Sequence, residues 1–329
     1  MLLTIIVPVY NIENYLKKCI DSLFVQDIDT NTYEVIAVND GSTDNSLTIL
    51  ESLKKQYGKS IKIITQKNQG LSGARNTAID KASGDYILFV DSDDYILKNT
   101  LKNLINIAKH NDLDILEFGA KGITPDNKIV YTSKNSTNNN VLTGEQYIAN
   151  IEYMSSACNK LYKRKFLNKY NLKFMKGVYI EDIEFNTRTV FKADKVQAIE
   201  TIVAHFLQRE GSITRANNLS KTMKMINDIY TVLTSINSFN ENEIKQNSIA
   251  YVPIKQRTCS LITTMLIRVL KDINDYKVKK DIFLKLKQQN LYPIPYTTGS
   301  KKKDKFRLFA NQNFLFSLLC KLYCIKNKL

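Results

Sequence analysis

Four short apolar runs, each followed by a polar segment and then by an amphipathic stretch, set the rhythm of the N-terminal part of the chain. Leu3-Thr4-Ile5-Ile6-Val7 is β-branched and reads as a buried strand that stops at Pro8. Asn11 or Glu13 opens a helix with Leu16, Cys19, Ile20 and Leu23 on one face. Glu34-Val35-Ile36-Ala37-Val38 is a second strand; it turns at Gly41, and Asp44 caps a helix from Ser46 to Tyr57. Ile61 to Thr65 and Asp85 to Val90 are the third and fourth strands, with a helix around Gly73-Ala74-Arg75-Asn76 between them. Strands alternating with helices through short joints predict a doubly wound, mostly parallel α/β sheet with right-handed crossovers.

In such a sheet ligands bind outside the carboxyl ends of the strands, so Pro8 to Asn11, Asn39 to Asp44, Asn68 to Asn76 and Asp91 to Asp94 are expected to line one crevice. The fourth strand runs directly into Asp91-Ser92-Asp93-Asp94. Three carboxylates at the end of a buried strand call for a cationic partner, and a hard divalent ion, Mg²⁺ or Mn²⁺, suits carboxylate oxygens while leaving positions for a phosphate. The competing reading is an acidic turn that caps the next helix. No GxGxxG follows the first strand and no Walker A lysine motif occurs, which disfavours a dehydrogenase or a P-loop NTPase.

Taken in order, Val7-Pro8-Val9-Tyr10-Asn11, Asn39-Asp40-Gly41-Ser42-Thr43-Asp44, Asn68-Gln69-Gly70 with Ala74-Arg75-Asn76, and Asp91-Ser92-Asp93-Asp94 resemble the motifs of the family 2 glycosyltransferases of GT-A fold. The resemblance implies an inverting transfer from a UDP-sugar to a glycan or lipid-linked acceptor in surface polysaccharide synthesis. It implies that Pro8, Val9 and Tyr10 line the base pocket, that Asp40 reads the uracil edge, that Glu13 lies near the ribose, and that Asn68, Arg75, Asp91 and Ser92 complete the nucleotide site. Asp93 is then the metal ligand on the diphosphate. Glu181-Asp182, opening a helix that runs from Ile183 to Phe191, resembles the family's ED motif, which makes Asp182 the base; the alternative is simple helix capping. An inverting transfer needs such a carboxylate opposite the leaving diphosphate. Arg209 and Ser212, in a segment resembling the family's Arg-x-Gly-Ser, are expected at the diphosphate. His205 reads either as a satisfied structural residue or as a second metal ligand. Ser156 to Tyr162 resembles the segment before the acceptor site, where many relatives carry a Trp; this chain has none.

Beyond residue 217 the period becomes helical, with stripes at Met223, Ile226, Ile229, Tyr230 and Leu233, from Ile249 to Leu270, and at Ile282 to Leu286. The expected organisation is a transferase domain at 1–216, a helical appendage at 217–299 and a basic amphipathic tail at 300–329, with 135–140 a mobile loop. The tail holds eight Lys or Arg against the single Asp304, a net +7 of the chain's +15. Its middle is rich in Phe and Leu. This admits two readings, a peripheral helix on an anionic membrane or a terminal helix docked on the protein. Five scattered cysteines without a CxxC pair argue against a disulfide framework or a zinc site and fit a reducing cytoplasm, and neither a basic signal segment nor an apolar span of about 20 residues is present. Nucleic acid is not expected as a partner, because it would explain the charge but not the acidic cluster. Two alternatives to the transferase remain: a sugar nucleotidyltransferase, which would want a Gly-rich, Arg-containing loop after the first strand, and an inert sugar-nucleotide or membrane-binding module.

Overall fold

The computed structural model describes residues 1–209 and 219–326. They fall into two compact units, Met1–Gly177 with Glu181–Glu210, and Val178–Ile180 with Gly211–Leu329.

The first unit alternates as the apolar runs predict: β1 (Leu3–Val9), α1 (Glu13–Leu23), β2 (Tyr33–Asn39), α2 (Ser46–Tyr57), β3 (Ile61–Thr65), α3 (Gly70–Lys81) and β4 (Tyr86–Phe89). There follow β5 (Tyr95–Ile96), α4 (Leu101–His110), β6 (Ile115–Ile123), β7 (Ile129–Ser133), α5 (Gly144–Asn150), β8 (Lys160–Lys163), α6 (Arg164–Lys169), α7 (Glu181–Lys192) and β9 (Val196–Leu207). The strands form one mixed sheet in the order β3-β2-β1-β4-β8-β6-β9-β5, with β7 beside β6. From β3 to β4 every pairing is parallel, while β8 runs antiparallel to both β4 and β6. All seven residues of β1 and of β2 are buried, as continuous apolar runs covered on both faces should be. The order reverses between β1 and β4, so the loops after these two strands flank the switch point at which such sheets take ligands.

Pro8 does not end β1. Ile6 O accepts from Val90 N, so the alternate residue Pro8 faces the same side; β4 pairs only as far as Ile6 with Phe89, and no ladder bond is lost where Pro8 lacks its N–H. The segment 135–140 is not loose either. Thr137 is buried and donates its N–H to Ala198 O, and Asn135 reaches Glu117 Oε1 at 2.6 Å.

The second unit comprises α8 (Leu219–Glu243), α9 (Tyr251–Asp272), α10 (Tyr276–Gln288), α11 (Lys301–Ala310) and α12 (Asn313–Lys326). Its apolar core joins Ile226, Ile229 and Leu233 of α8 to Ile262 and Leu266 of α9, Ile282 and Leu286 of α10, and Ala310, Phe316 and Cys320 near the chain's end. Residues 300–329 were expected as a separate part. Instead α11 and α12 share this core, because one side of each helix supplies apolar groups that α9 and α10 can cover.

Candidate active site

The loops after β1 and β2 hold each other. Asn11 takes a positive φ of 48°, where Asn is tolerated, and its Oδ1 accepts from Thr43 N at 2.8 Å. Asn45 and not Asp44 holds the cap position of α2, but Asp44 Oδ1 accepts from Ser46 N and Oδ2 from Glu13 N, so one carboxylate serves the first turns of two helices. Burial pulls its pKa up, but these hydrogen bonds outweigh it and hold Asp44 below the usual carboxylate range. Gly41, at φ 75°, brings its backbone so close that a Cβ there would meet Asn68 N at 3.1 Å. Between these loops opens a cleft of about 460 Å³ lined by Asn11, Glu13, Tyr15, Thr43, Asp44 and Arg209, among others.

The expected nucleotide residues do not all face that cleft. Pro8 and Val9 are buried within β1, and of the three only Tyr10 is exposed, so the expectation that Pro8 and Val9 line a base pocket through their side chains is corrected by the strand running on to Val9. Asp40 is buried, with Oδ1 accepting from Gln66 Nε2 at 2.7 Å and Gln69 N at 2.9 Å. Glu13 Oε2 is held by Asn45, through its backbone N at 2.9 Å and its Nδ2 at 2.8 Å. Asn68 caps the turn before α3 through Gly70 N. Ser92 is buried in the acidic turn, which closes with Asp94 N donating to Asp91 O. Ser212 lies outside the described residues.

At the acidic turn the three carboxylates part company. Asp94 Oδ1 accepts from Leu207 N at 2.7 Å and anchors the end of β9. Asp93 Oδ2 receives Arg209 Nε at 2.9 Å, and that guanidinium lies 5.1 Å over the Tyr15 ring. Burial, then the Asp91 charge, push Asp93 above the usual carboxylate range despite Arg209. Asp91 Oδ1 receives Arg75 Nη2 at 2.7 Å. His205 is paired in register with Tyr95 and bonded to its hydroxyl at 3.0 Å; burial and the charges of Lys121 and Lys18 hold its pKa down. The charges that shift it are therefore those of cations. Among the described residues no three His, Cys, Asp or Glu side chains gather as a metal cage.

Arg75 is the centre of the site and is fully buried. Besides Asp91 it bonds Glu181 Oε1 and Asp182 Oδ1, both at 2.8 Å from Nη1, and it lies 5.0 Å over the Phe174 ring. The second Asp182 oxygen accepts from Ala157 N at 3.1 Å. Asp182 is thus more than a helix cap: it is fixed from α3 on one side and from the segment before β8 on the other. Burial raises the pKa of Asp182, with Arg75 opposing, while burial and the Asp182 charge push Glu181 up to about 8. One guanidinium therefore faces three carboxylates, and the cluster retains excess negative charge. Sequence periodicity gave no sign of Tyr15 or Lys160; the Lys160 ammonium is paired with Glu117 on the distant strand β6, which local pattern cannot show.

A sheet with a parallel half, its ligand crevice at a strand-order reversal, and an acidic turn tied to a helix-borne carboxylate define a GT-A-type transferase. The chain belongs to glycosyl transferase family 2, whose model matches residues 4–170. It is 34% identical over 220 residues to EpsJ of Bacillus subtilis, an uncharacterised glycosyltransferase, covering 65% of this chain and 63% of that one. It is 47% identical over 124 residues to a poly(ribitol-phosphate) beta-glucosyltransferase of Bacillus spizizenii, covering 37% of this chain and 20% of the relative. Among solved structures, residues 1–349 of S. aureus TarS in complex with UDP-GlcNAc superpose with a TM-score of 0.62 at 20% identity, covering 95% of this chain and 91% of that one. The Pyrobaculum calidifontis mannosyltransferase PcManGT, in complex with GDP-Man and Mn²⁺, gives 0.54 at 12% identity, covering 99% of this chain and 88% of that one. These likenesses establish the fold. The chain spans less than two thirds of the length of EpsJ and a fifth of the beta-glucosyltransferase.

Proposed function

We propose that this glycosyltransferase moves a hexosyl or N-acetylhexosaminyl group from a UDP-sugar, with inversion, to a glycan or lipid-linked acceptor of a surface polysaccharide. The observation that carries this reading is the Arg75 bridge, in which a single guanidinium holds Asp91 of the acidic turn and Asp182 of α7. Asp182 then takes the proton of the attacking hydroxyl, while Asp91 faces the donor sugar on the other side of the transferred group. A carboxylate offers about four acceptor sites, so the bonds from Arg75 and Ala157 leave Asp182 room for a hydroxyl proton. Asn11, Thr43 and Tyr15 line the nucleoside cleft, Asp40 and Asn68 lie in the loops behind it, and Arg209, beside Asp93, supplies a donor to the diphosphate.

The donor set fits a divalent cation such as Mn²⁺ or Mg²⁺: Asp93 is a hard oxygen ligand in a site with surplus negative charge, and such ions commonly bind through one or two carboxylates plus substrate phosphate. When bound, it would neutralise charge on the departing diphosphate. His205, bonded to Tyr95 and flanked by lysines, suits a structural role better than a ligand's.

The TarS complex with UDP-GlcNAc and the poly(ribitol-phosphate) relative support the donor and acceptor classes. The last helices support a peripheral position at the inner face of an anionic membrane. Among the described residues no single helix is long and apolar enough to cross one; α11 and α12 have the length together but are bent by 101°.

A panel of UDP-hexoses and UDP-N-acetylhexosamines, with soluble glycosides as acceptors, tests the reading by release of UDP. The wild type is expected to turn over at least one pair, and Asp182→Asn to lose turnover by a factor of about 10³ or more while binding UDP as before. Undiminished turnover by Asp182→Asn would remove the base assignment.

A further inference from the structure

Between α5 and β8 the chain runs from Ile151 to Ser156 without regular structure, yet the carbonyls of Met154, Ser155 and Ser156 are all taken by side chains. Met154 O accepts from Lys160 Nζ at 2.6 Å and Ser156 O from the same ammonium at 2.9 Å. Between them Ser155 O accepts from Asn186 Nδ2 at 2.6 Å, and Asn186 is held in turn by the Tyr162 hydroxyl at 2.7 Å. The third proton of Lys160 goes to Asn159 Oδ1 at 2.8 Å, and Glu117, 3.2 Å away on β6, supplies the countercharge. The next residue in the segment, Ala157, donates its N–H to Asp182.

Both charges of this pair are sealed off, with side-chain exposures of 0% for Lys160 and 2% for Glu117. A buried ion pair is a poor device for stability, since two well-packed apolar residues serve a core as well or better. What an apolar pair would not do is gather two carbonyls of an irregular segment onto one point. A backbone turn or ladder would fix the segment by its own periodic bonds; here its shape is set from beneath by side chains of β8 and α7.

We propose that Lys160 is a positioning residue for the transfer reaction: its buried ammonium fixes residues 154–157 so that the Ala157 N–H orients Asp182 toward the acceptor hydroxyl. This rests on the assignment of Asp182 as the base. Lys160 touches neither substrate nor the reacting atoms. Its effect falls on the step that uses the acceptor, not on the binding of UDP. Misplacement of a reacting group by about 1 Å costs on the order of 10²-fold in rate, which sets the size of the effect.

The test uses the full chain and removes both charges together, so that no buried ion is left unpaired. Lys160→Met/Glu117→Gln keeps an acceptor for Asn135 and deletes all three ammonium bonds; Lys160→Gln/Glu117→Gln restores some of them. Three quantities are read: the UDP dissociation constant by calorimetry, turnover with the donor and acceptor pair found in the panel above, and hydrogen exchange of the Ala157 amide. The Met double variant is expected to bind UDP within about twofold of wild type, to lose about 10²-fold in kcat, and to exchange Ala157 faster while Ile5 and Ile6 stay protected. The Gln double variant should recover part of the rate. Normal turnover and Ala157 protection in a folded Met double variant would overturn the proposal, and so would failure of both double variants to fold, because Lys160 would then hold the fold and not the site. Should Asp182→Asn itself keep turnover, the base assignment fails first; normal rates in the Met double variant beside an inactive Asp182→Asn defeat this inference alone.

Discussion

Arg75 Nη1 stands 2.8 Å from both Glu181 and Asp182, adjacent residues at the first turn of α7 whose side chains converge on one buried nitrogen. The two carboxylates do not share it equally: Glu181 is 4% exposed and Asp182 23%. The more exposed one is the one that can meet a substrate; the other is a buried acid whose charge the site scarcely supports.

The first expectation follows from Glu181. Burial and the Asp182 charge push its pKa up to about 8, well above an unfolded glutamate. The folded state therefore prefers the protonated form. Its contribution to stability is complete below the unfolded pKa of about 4.3 and is lost as pH rises through about 8. Chemical unfolding between pH 5 and pH 9 should show stability declining with pH, and Glu181→Gln should flatten that decline while keeping UDP binding. An equal slope in the variant would place the titration elsewhere. Removal of the cation is harsher: Arg75→Met leaves Asp91, Glu181 and Asp182 without it and should cost about 3–5 kcal/mol.

At the acidic turn the expected effect is on metal use and not on the fold. Asp93 is held above its ordinary pKa by burial and by Asp91, so neutralising it removes a repulsion even though Arg209 loses its partner. Asp93→Asn should melt within a few degrees of wild type and lose about 10²-fold or more in turnover. It should also lose the extra stabilisation that Mn²⁺ with UDP gives over UDP alone, read by thermal shift. A wild-type enzyme fully active in a chelator would set the cation aside.

Asp44 links two helix starts, so its replacement acts twice. Each lost N-terminal cap costs about 1 kcal/mol, and Asp44→Ala should therefore destabilise by about 1–2 kcal/mol in urea unfolding. The same bonds shape the cleft that Asn11, Glu13 and Thr43 line, so UDP affinity should fall with them. Destabilisation with unchanged UDP affinity would separate this cleft from the nucleotide.

Much of this was readable in the residues, for identifiable reasons. β1, β2 and β4 are mostly apolar runs, and a run buried on both faces needs no partner to be recognised, whereas β3, at the end of the sheet, is partly exposed. The polar segments after them converge because a parallel sheet puts all its carboxyl ends on one edge. What escaped notice are bonds between distant parts of the chain. Asp44 reaches Glu13 across 31 residues, Asp94 reaches Leu207 across 113, and Arg75 meets α7 across more than 100. None of these leaves a period in the local pattern. Pro8 was misread because a strand-breaking rule applies to paired N–H groups, and only the pairing of β4 shows that this one is unpaired. The polar segment 135–140 was misread as mobile for the same reason, since its anchors, Glu117 and Ala198, belong to strands some 20 to 60 residues further along or back.

The chain's last two helices answer the question left by their composition by dividing their apolar residues. Phe316, Cys320 and Cys324 of α12 are buried, with Leu319 and Tyr323 half covered, and on α11 Ala310 and Arg307 turn inward. Leu308, Phe314, Leu318, Leu322 and Ile325 are exposed, Phe314 by 78%. The only acid of α11, Asp304, is occupied by Arg307 and by Thr298 N, whereas Lys301, Lys302, Lys305 and Lys321 are exposed. An uncovered apolar face rimmed by lysines suits an anionic lipid surface, to which each lysine near it adds about 1 kcal/mol, and suits a second copy of itself poorly because lysines would meet lysines. Deleting the tail would confuse the two faces, since the buried half belongs to the core. Leu318→Glu with Leu322→Glu changes only the outer face: it should leave the melting temperature nearly unaltered and release the protein from phosphatidylglycerol vesicles in flotation. Phe316→Glu, on the inner face, should instead unfold the helical unit. High salt should weaken wild-type binding by screening the lysines. If the outer-face variant floats with the vesicles as well as wild type does, those leucines do not touch lipid and the membrane reading of the exposed face is wrong.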